Sequence, residues 1–379
     1  MTFPKTLVNC LCVKSGGGRA HLASILPRLA KLYHARDPGK FCLLVDQTQA
    51  NEFSSIEHCK LITIEHESLG GYRRVLWERR NLDRIVDKHR IDLVYTPGQV
   101  LATRTRAKNV IFVQNMEPFL FHKYRYGWKT SLRNRLLRRA SVSAATKADR
   151  VVACSQFVKD YLIENCGVAA DKIVHIYHGR DTEFPGLGSA SHNGIPVTGP
   201  FFLTCGSILP YRRCEDVISA FEQFSTAHPD RQYSLLIAGT GTDAPYRNRL
   251  EQQAADSAVS NRIRFLGHVD REMMSHLYNK CDACILATEI EACPITAIEA
   301  MTCRCRIISG TSRPMPEMLE DAAVFFEPRQ IAQLAGLMEK VLEPPLSEDL
   351  AGRALDRSQY FDWDICARQT FAALTQWSD

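Results

Sequence analysis

No stretch of this 379-residue chain reaches the roughly 18 uninterrupted apolar residues that a membrane-spanning helix needs. The opening residues, Met1-Thr2-Phe3-Pro4-Lys5, lack the long apolar core of a secretory signal, so the expectation is a cytosolic protein. Metal-binding patterns are thin as well. Cys281-Asp282-Ala283-Cys284 has C-x-x-C spacing and Cys303-Arg304-Cys305 follows, but no second such pair or His pair completes a zinc site. Several of the 14 cysteines, among them Cys10, Cys12, Cys42, Cys154, Cys205 and Cys284, lie in or beside apolar runs, where a reduced thiol behaves as a small hydrophobe.

What is present reads as an ordinary globular composition, 45% apolar and 23% charged, on a chain long enough for two domains. The net charge of +5 conceals an asymmetry. Residues 1–183 hold 30 Lys and Arg against 17 Asp and Glu; residues 184–379 hold 17 against 25. A basic first half and an acidic second half imply domains that face different partners. The bias peaks over residues 121–150, with nine basic residues, one acid (Asp149), and Phe121, Tyr124, Tyr126 and Trp128 interleaved. That pattern fits an anionic membrane surface or an anionic acceptor, and equally a solvated helix face. It also fits RNA, which the acidic second half disfavours.

Apolar runs alternate with helix-like stretches along the whole chain. The runs at 6–13, 41–45, 91–96, 109–113, 150–154 and 172–177 read as buried strands. So do those at 201–205, 233–238, 263–267, 283–287, 306–309 and 322–326. Such alternation implies parallel sheets covered on both faces. Residues 185–200 are rich in Gly, Pro, Ser and Thr without periodicity, which is a linker composition. The expected organisation is a first α/β domain at 1–184, a linker at 185–199, a second α/β domain at 200–358 and a closing helix at 359–379.

Chemistry concentrates where strands end. After the run 283–287 comes a loop with Glu291 and Pro294, then a helix start with Glu299 one turn in. In open α/β sheets ligands bind outside the carboxyl ends of the strands. A helix N-terminus there suits a phosphate, and a carboxylate suits sugar hydroxyls. After the run 201–205, Arg212 and Arg213 fit a phosphate clamp and equally a pair of exposed surface arginines. After the first run, Gly16-Gly17-Gly18 lets backbone approach a phosphate closely, although it has neither the dinucleotide nor the P-loop spacing. A tight strand–helix turn explains those glycines equally well.

An ordered set of stretches resembles glycosyltransferase family 4, retaining enzymes of the GT-B fold. They are Ser15-Gly16-Gly17-Gly18, Val152 to Ser155, Tyr177-His178-Gly179-Arg180-Asp181, Cys205-Gly206-Ser207, Phe265-Leu266-Gly267, and above all Glu291-x₇-Glu299. The ending Tyr360-Phe361-Asp362-Trp363 is similar to the family's closing segment, whose helix returns to the first domain. The resemblance implies two Rossmann-like domains facing a central cleft, with acceptor bound by the first and nucleotide sugar by the second. On that basis Glu291, Arg212 and Arg213 are the catalytic candidates. Gly17, Ser207, Val269, Cys293, Pro294, Ile295, Thr296 and Glu299 are the donor-binding candidates, with Glu299 on the ribose hydroxyls and Glu291 near the donor sugar. Gln114, Asn115 and Glu117 are candidates on the acceptor side.

Two positions depart from the family pattern. Ser207 stands where an Arg is usual, with Arg212 at the usual Lys, and Gln114 stands where many members have His. Sugar transfer leaves negative charge on a nucleoside diphosphate, and something positive must meet it. The one Asp-x-Asp triplet that could hold a divalent metal, Asp362-Trp363-Asp364, falls in the closing segment. The expectation is therefore no metal and no cofactor. The donor is a UDP- or GDP-sugar and the acceptor a glycan or lipid-linked molecule, in polysaccharide or lipopolysaccharide synthesis at the inner face of the membrane. A nucleotide-sugar epimerase and a non-catalytic sugar-nucleotide-binding protein are the alternatives.

Overall fold

The structure is a computed structural model that describes residues 3–13, 16–66, 70–124, 126–181 and 199–377. Lys14, Ser15 and Arg125 lie outside the described residues, as does the expected linker except Gly199. The chain forms two compact units, one of Met1–Gly179 with Asp362–Asp379, the other of Arg180–Phe361.

The first unit is built on seven strands, β1 (Thr6–Asn9), β2 (Phe41–Val45), β3 (Lys60–Thr63), β4 (Leu93–Thr96), β5 (Lys108–Val113), β6 (Arg150–Ala153) and β7 (Ile173–His175). They lie in the order β3-β2-β1-β4-β5-β6-β7, every neighbouring pair parallel. β1, β2 and β4 are buried along their whole length, as covering on both faces requires. Strand β3 has a half-exposed sequence and sits at the edge, so no continuous apolar run announces it. The helix Gly16–Arg36 buries Leu22, Ile25, Leu26, Leu29 and Tyr33, the face its periodicity predicts.

The chain's last helix, Trp363–Thr375, packs within this unit against Gly16–Arg36. Arg28 Nε meets Asp364 at 2.7 Å, and Arg150 donates to the carbonyls of Ala373 and Gln376 at 2.6 and 2.7 Å. Trp363 is buried against His21 and His178. Gly179 lies against the backbone of Trp363, where an added Cβ would sit 2.2 Å from its nitrogen.

The second unit carries β8 (Phe201–Cys205), β9 (Ser234–Ala238), β10 (Ile263–Gly267), β11 (Ala283–Leu286), β12 (Ile307–Gly310) and β13 (Ala323–Phe326). Their order is β10-β9-β8-β11-β12-β13, again all parallel. Phe202, Phe221, Phe224, Leu235 and Ile237 anchor its core. In each sheet the strand order reverses beside the first strand, between β1 and β4 and between β8 and β11. In open α/β sheets such a reversal is where ligands bind, outside the carboxyl ends of the strands. No helix among the described residues is long and apolar enough to cross a membrane.

Candidate active site

The loops after β8, β9 and β10 are laced together by backbone. Gly206 N–H donates to Ala238 O at 3.0 Å, Ile208 N–H to Thr240 O at 2.9 Å, and Gly239 N–H to Gly267 O at 2.8 Å. The approach is so close that a Cβ on Gly239 would lie 1.8 Å from Gly206 O, and one on Gly241 1.9 Å from Ile208 O. Only glycine fits there. The result is a fixed shelf at the carboxyl end of β8 for residues 207–213.

At the reversal between β8 and β11, Arg212 and Glu291 meet. Arg212 Nη1 donates to Glu291 Oε1, with the two side chains 19% and 10% exposed. The guanidinium lies beside Gly206, whose φ of +121° favours glycine, and over the Tyr211 ring. Arg212 Nε is buried without a partner among the described residues. The two loops are tied by Glu289 N–H donating to Tyr211 O at 2.8 Å. Burial pushes the Glu291 carboxyl up, and Arg212 and Thr288 oppose that rise.

The adjacent arginine does something else. Arg213 takes a left-handed backbone with φ +54°. Its guanidinium grips Asp216 with two hydrogen bonds of 2.9 and 2.7 Å, and meets Glu215 at 2.6 Å and Glu289 at 3.5 Å. Glu289 is held in turn by Arg329 at 3.1 Å. Arg213 thus fixes the start of the helix Cys214–Ala227, its charge already met by carboxylates, while Arg212 turns to Glu291. The sequence treats the pair alike; the backbone at 213 separates them.

Around them stand the other donor-side candidates. Ser207 is exposed on the shelf and Val269 half-buried just past β10. Cys293 and Pro294 are buried, and Ile295 and Thr296 open the helix Ile295–Thr302. Glu299 follows one turn on. Its Oε2 accepts from Tyr278 Oη at 3.2 Å, and the same hydroxyl lies 3.2 Å from Cys205 Sγ. Burial pushes the Glu299 carboxyl up to about 7, and Asp181 adds to the rise, while Tyr278 and Arg271 oppose it. Asp181 and Arg271 form an ion pair of 2.5 Å.

Two family descriptions match this chain, Glycosyltransferase Family 4 over residues 15–184 and Glycosyl transferases group 1 over residues 189–355. The chain belongs to the family 4, group 1 glycosyltransferases. Its fold is GT-B, with two Rossmann-like units. Among relatives of this family member is a glycogen synthase of Mycobacterium tuberculosis, 26% identical over 249 residues, 64% of this chain and 58% of that one. Another is the serotype-specific mannosyltransferase WbdA of Escherichia coli, 21% identical over 237 residues, 61% of this chain and 29% of that one. The chain therefore spans little more than half of the first relative and under a third of the second. Among solved structures, Anabaena HepE in complex with UDP-glucose matches with a TM-score of 0.70 at 18% identity, covering 97% of this chain and 98% of that one.

In this glycosyltransferase-family chain the remaining candidates lie in the first unit. Gly17 is exposed in the first turn of its helix. Gly18 beside it packs so closely that a Cβ would be 3.1 Å from Gln114 Nε2. Gln114 Nε2 donates to Pro97 O at 3.0 Å, and Asn115 N–H to Gln99 Oε1 at 3.1 Å. Glu117 Oε1 accepts from buried Asn134 at 3.2 Å. Two groups escape the sequence. Tyr278 reads as a core aromatic of the helix Arg271–Lys280, and nothing local says that its hydroxyl reaches Glu299. His21 and His178 meet Nδ1 to Nδ1 at 3.1 Å, and burial pushes His178 down to about 4. Their separation of 157 residues hides the pair.

All fourteen cysteines are free thiols. Among the described residues no group of three His, Cys, Asp or Glu side chains is placed to hold a metal ion. The Asp-x-Asp triplet is engaged elsewhere: Asp362 caps the last helix through the N–H groups of Asp364 and Ile365, and Asp364 pairs with Arg28.

Proposed function

We propose that this protein transfers a hexose-type sugar from a UDP- or GDP-sugar to a glycan or lipid-linked acceptor, with retention of anomeric configuration, in the synthesis of a cell-surface polysaccharide or lipopolysaccharide. The observation that carries this reading is Arg212. It is a mostly buried guanidinium with a spare donor, set at the strand-order reversal beside a helix start and two carboxylates. Breaking the anomeric C–O bond leaves charge on the diphosphate, and Arg212 with the free N–H groups opening the helix Ile295–Thr302 would receive it. Glu299 accepts from the ribose hydroxyls, and Glu291 orients the donor sugar once the diphosphate draws Arg212 away. Transfer proceeds without a divalent metal in this reading. The engagement of Asp362 and Asp364 supports it.

The donor is tested by titrating UDP-glucose and GDP-mannose, whose phosphates do not titrate near neutrality. A Glu299 carboxyl at about 7 must be ionised to accept two ribose hydroxyls, so acidification weakens binding. Affinity is expected to fall up to about tenfold for each pH unit below that point, and Glu299→Gln should bind weakly with a flat profile. Binding that is flat with pH in the native protein sinks the assignment. The stability of the unliganded protein changes in the opposite sense. The raised carboxyl stabilises the folded state fully below its ordinary value of 4.5, and that contribution is lost as pH rises through about 7.

Acceptors of this kind reside at membranes, and the first unit has a surface that suits one. Along the helix Trp128–Lys147, Trp128, Leu132 and Leu136 are 73%, 50% and 56% exposed at successive i, i+4 positions. Lys129, Arg133, Arg135 and Arg139 flank them. Peripheral docking on the anionic inner leaflet would bury the stripe and pair the charges. Vesicles containing phosphatidylglycerol should retain the protein at low salt and release it at high salt. Trp128→Ser with Leu132→Ser should lower partitioning about tenfold or more. Equal partitioning of native and variant protein removes the stripe from the proposal.

A further inference from the structure

The first unit holds a second buried charge pair that the donor chemistry does not use. Glu78 and Asn9 are each 1% exposed. Glu78 Oε1 accepts from Asn9 Nδ2 at 3.0 Å and from Arg74 Nη1 at 2.9 Å. Arg74 itself is 12% exposed. Taking the Glu78 carboxylate out of water costs several kcal/mol before Arg74 and Asn9 offset it, and an apolar side chain would fill the same space as well or better. Helix packing alone therefore does not account for the pair.

Its position does. Asn9 is the last residue of β1, and the strand order of this sheet reverses between β1 and β4. Cys12, three residues beyond, feels the Arg74 charge: burial pushes its thiol up to about 12, and Arg74 opposes the rise. A Cβ on Gly98, just past β4, would lie 3.1 Å from Cys12 Sγ. Through Glu78 the guanidinium is held beside the carboxyl end of β1, at the strand-order reversal where open α/β sheets bind ligands. Glu78 occupies one corner of the guanidinium. The Nε and Nη2 donors, the edge that meets an oxyanion with two parallel hydrogen bonds, have no partner among the described residues.

We infer that Arg74, held by Glu78 and Asn9, binds an anionic group of the acceptor, a phosphate or a carboxylate, at the strand-order reversal of the first unit. This rests on reading that unit as the acceptor side. Arg74 presents a fork whose orientation is set before the ligand arrives, so little side-chain entropy is lost on binding. A neutral sugar would leave those donors without a charged partner, so the acceptor is anionic at the end that meets Arg74.

The test uses the full chain with its donor side filled by saturating UDP, at fixed ionic strength. Inorganic phosphate and, in a parallel arm, acetate are titrated by calorimetry. Saturable binding of one of them is expected, and the stronger arm identifies the anion class. Arg74→Met combined with Glu78→Gln, which leaves no unpaired buried charge, should weaken that binding at least about tenfold while its UDP affinity and unfolding midpoint match the native protein. Arg74→Lys keeps the charge opposite Glu78 and loses the fork. It should also weaken binding, and it carries the test should the double variant not fold. Equal anion affinity in native protein and either variant, or no saturable binding of either anion to the native protein, overturns the inference. Failure of UDP itself to bind is a different result and counts against the donor reading.

Discussion

Arg212→Met should lower the rate of sugar transfer by about a hundredfold to a thousandfold, the range seen when one preorganised donor to a developing anion is removed. The expectation follows from the division of labour between the two arginines. Arg213 is occupied by Asp216, Glu215 and Glu289. Ser207 brings no charge, and Arg212 keeps a spare donor among the described residues, so Arg212 is the cation proposed to meet the leaving group. The same change removes the partner of Glu291, whose side chain is 10% exposed. A mostly buried carboxylate left unpaired costs about 3 kcal/mol, or its pKa rises further until it is neutral. Stability and catalysis can be separated with Arg212→Met/Glu291→Gln. That pair should recover most of the lost stability, measured by denaturant unfolding, and none of the rate. Recovery of rate by the double variant would mean that Arg212 matters only as the counter-ion of Glu291.

Gly239→Ala should cost at least about 3 kcal/mol and carry activity down with it. The reason is geometric. Gly239 has φ +145°, a conformation that L residues rarely adopt, and its new Cβ would lie 1.8 Å from Gly206 O. The obstacle is backbone, not a flexible side chain, so the loop after β8 must move, and that loop carries Ser207 and Arg212. Gly267→Ala is the comparison. Its φ is +68° and nothing lies within 4 Å of an added Cβ, so only the left-handed backbone penalty of about 1–2 kcal/mol applies. Denaturant midpoints of the two variants should differ in that order, and donor affinity should fall much further in Gly239→Ala. Equal effects would show that the shelf is looser than its hydrogen bonds imply.

Much of the fold is legible in the residues, for a stated reason. Strands covered on both faces must be apolar throughout, so β1, β2, β4, β8 and β11 announce themselves as short apolar runs. The helices between them show periodic faces, as in Leu22, Ile25, Leu26 and Leu29. Where burial is incomplete the signal fades. Lys60-Leu61-Ile62-Thr63 forms β3 only because an edge position accepts a half-exposed strand. The site follows the same rule. Glu291 and Glu299 are legible because each lies a fixed short distance from a strand end, and the strand–loop–helix order is local. The roles of Tyr278 and Arg74 are not legible, because each rests on a partner brought near by folding. For Tyr278 that partner is Glu299, and for Arg74 it is Asn9 at the end of β1, which shares Glu78 with it.

The sequence by itself determined the family, the two α/β units, the strand ends that carry ligand chemistry and the uneven charge of the two halves. These depend on composition and on neighbours a few residues apart, and they survive in any conformation that buries the apolar runs. Only the tertiary structure decided which charges are spent and which are available. Arg212 and Arg213 are adjacent and chemically identical, yet a left-handed backbone at 213 turns one to three carboxylates and leaves the other facing Glu291 with a donor to spare. Arg74 is one of many arginines in a basic half, and its distinction arises only when β1 and the helix Gly71–His89 bring Asn9 and Glu78 to its side. A charge looks the same in sequence whether it is neutralised or waiting. The difference lies in distances that only long-range chain return can set.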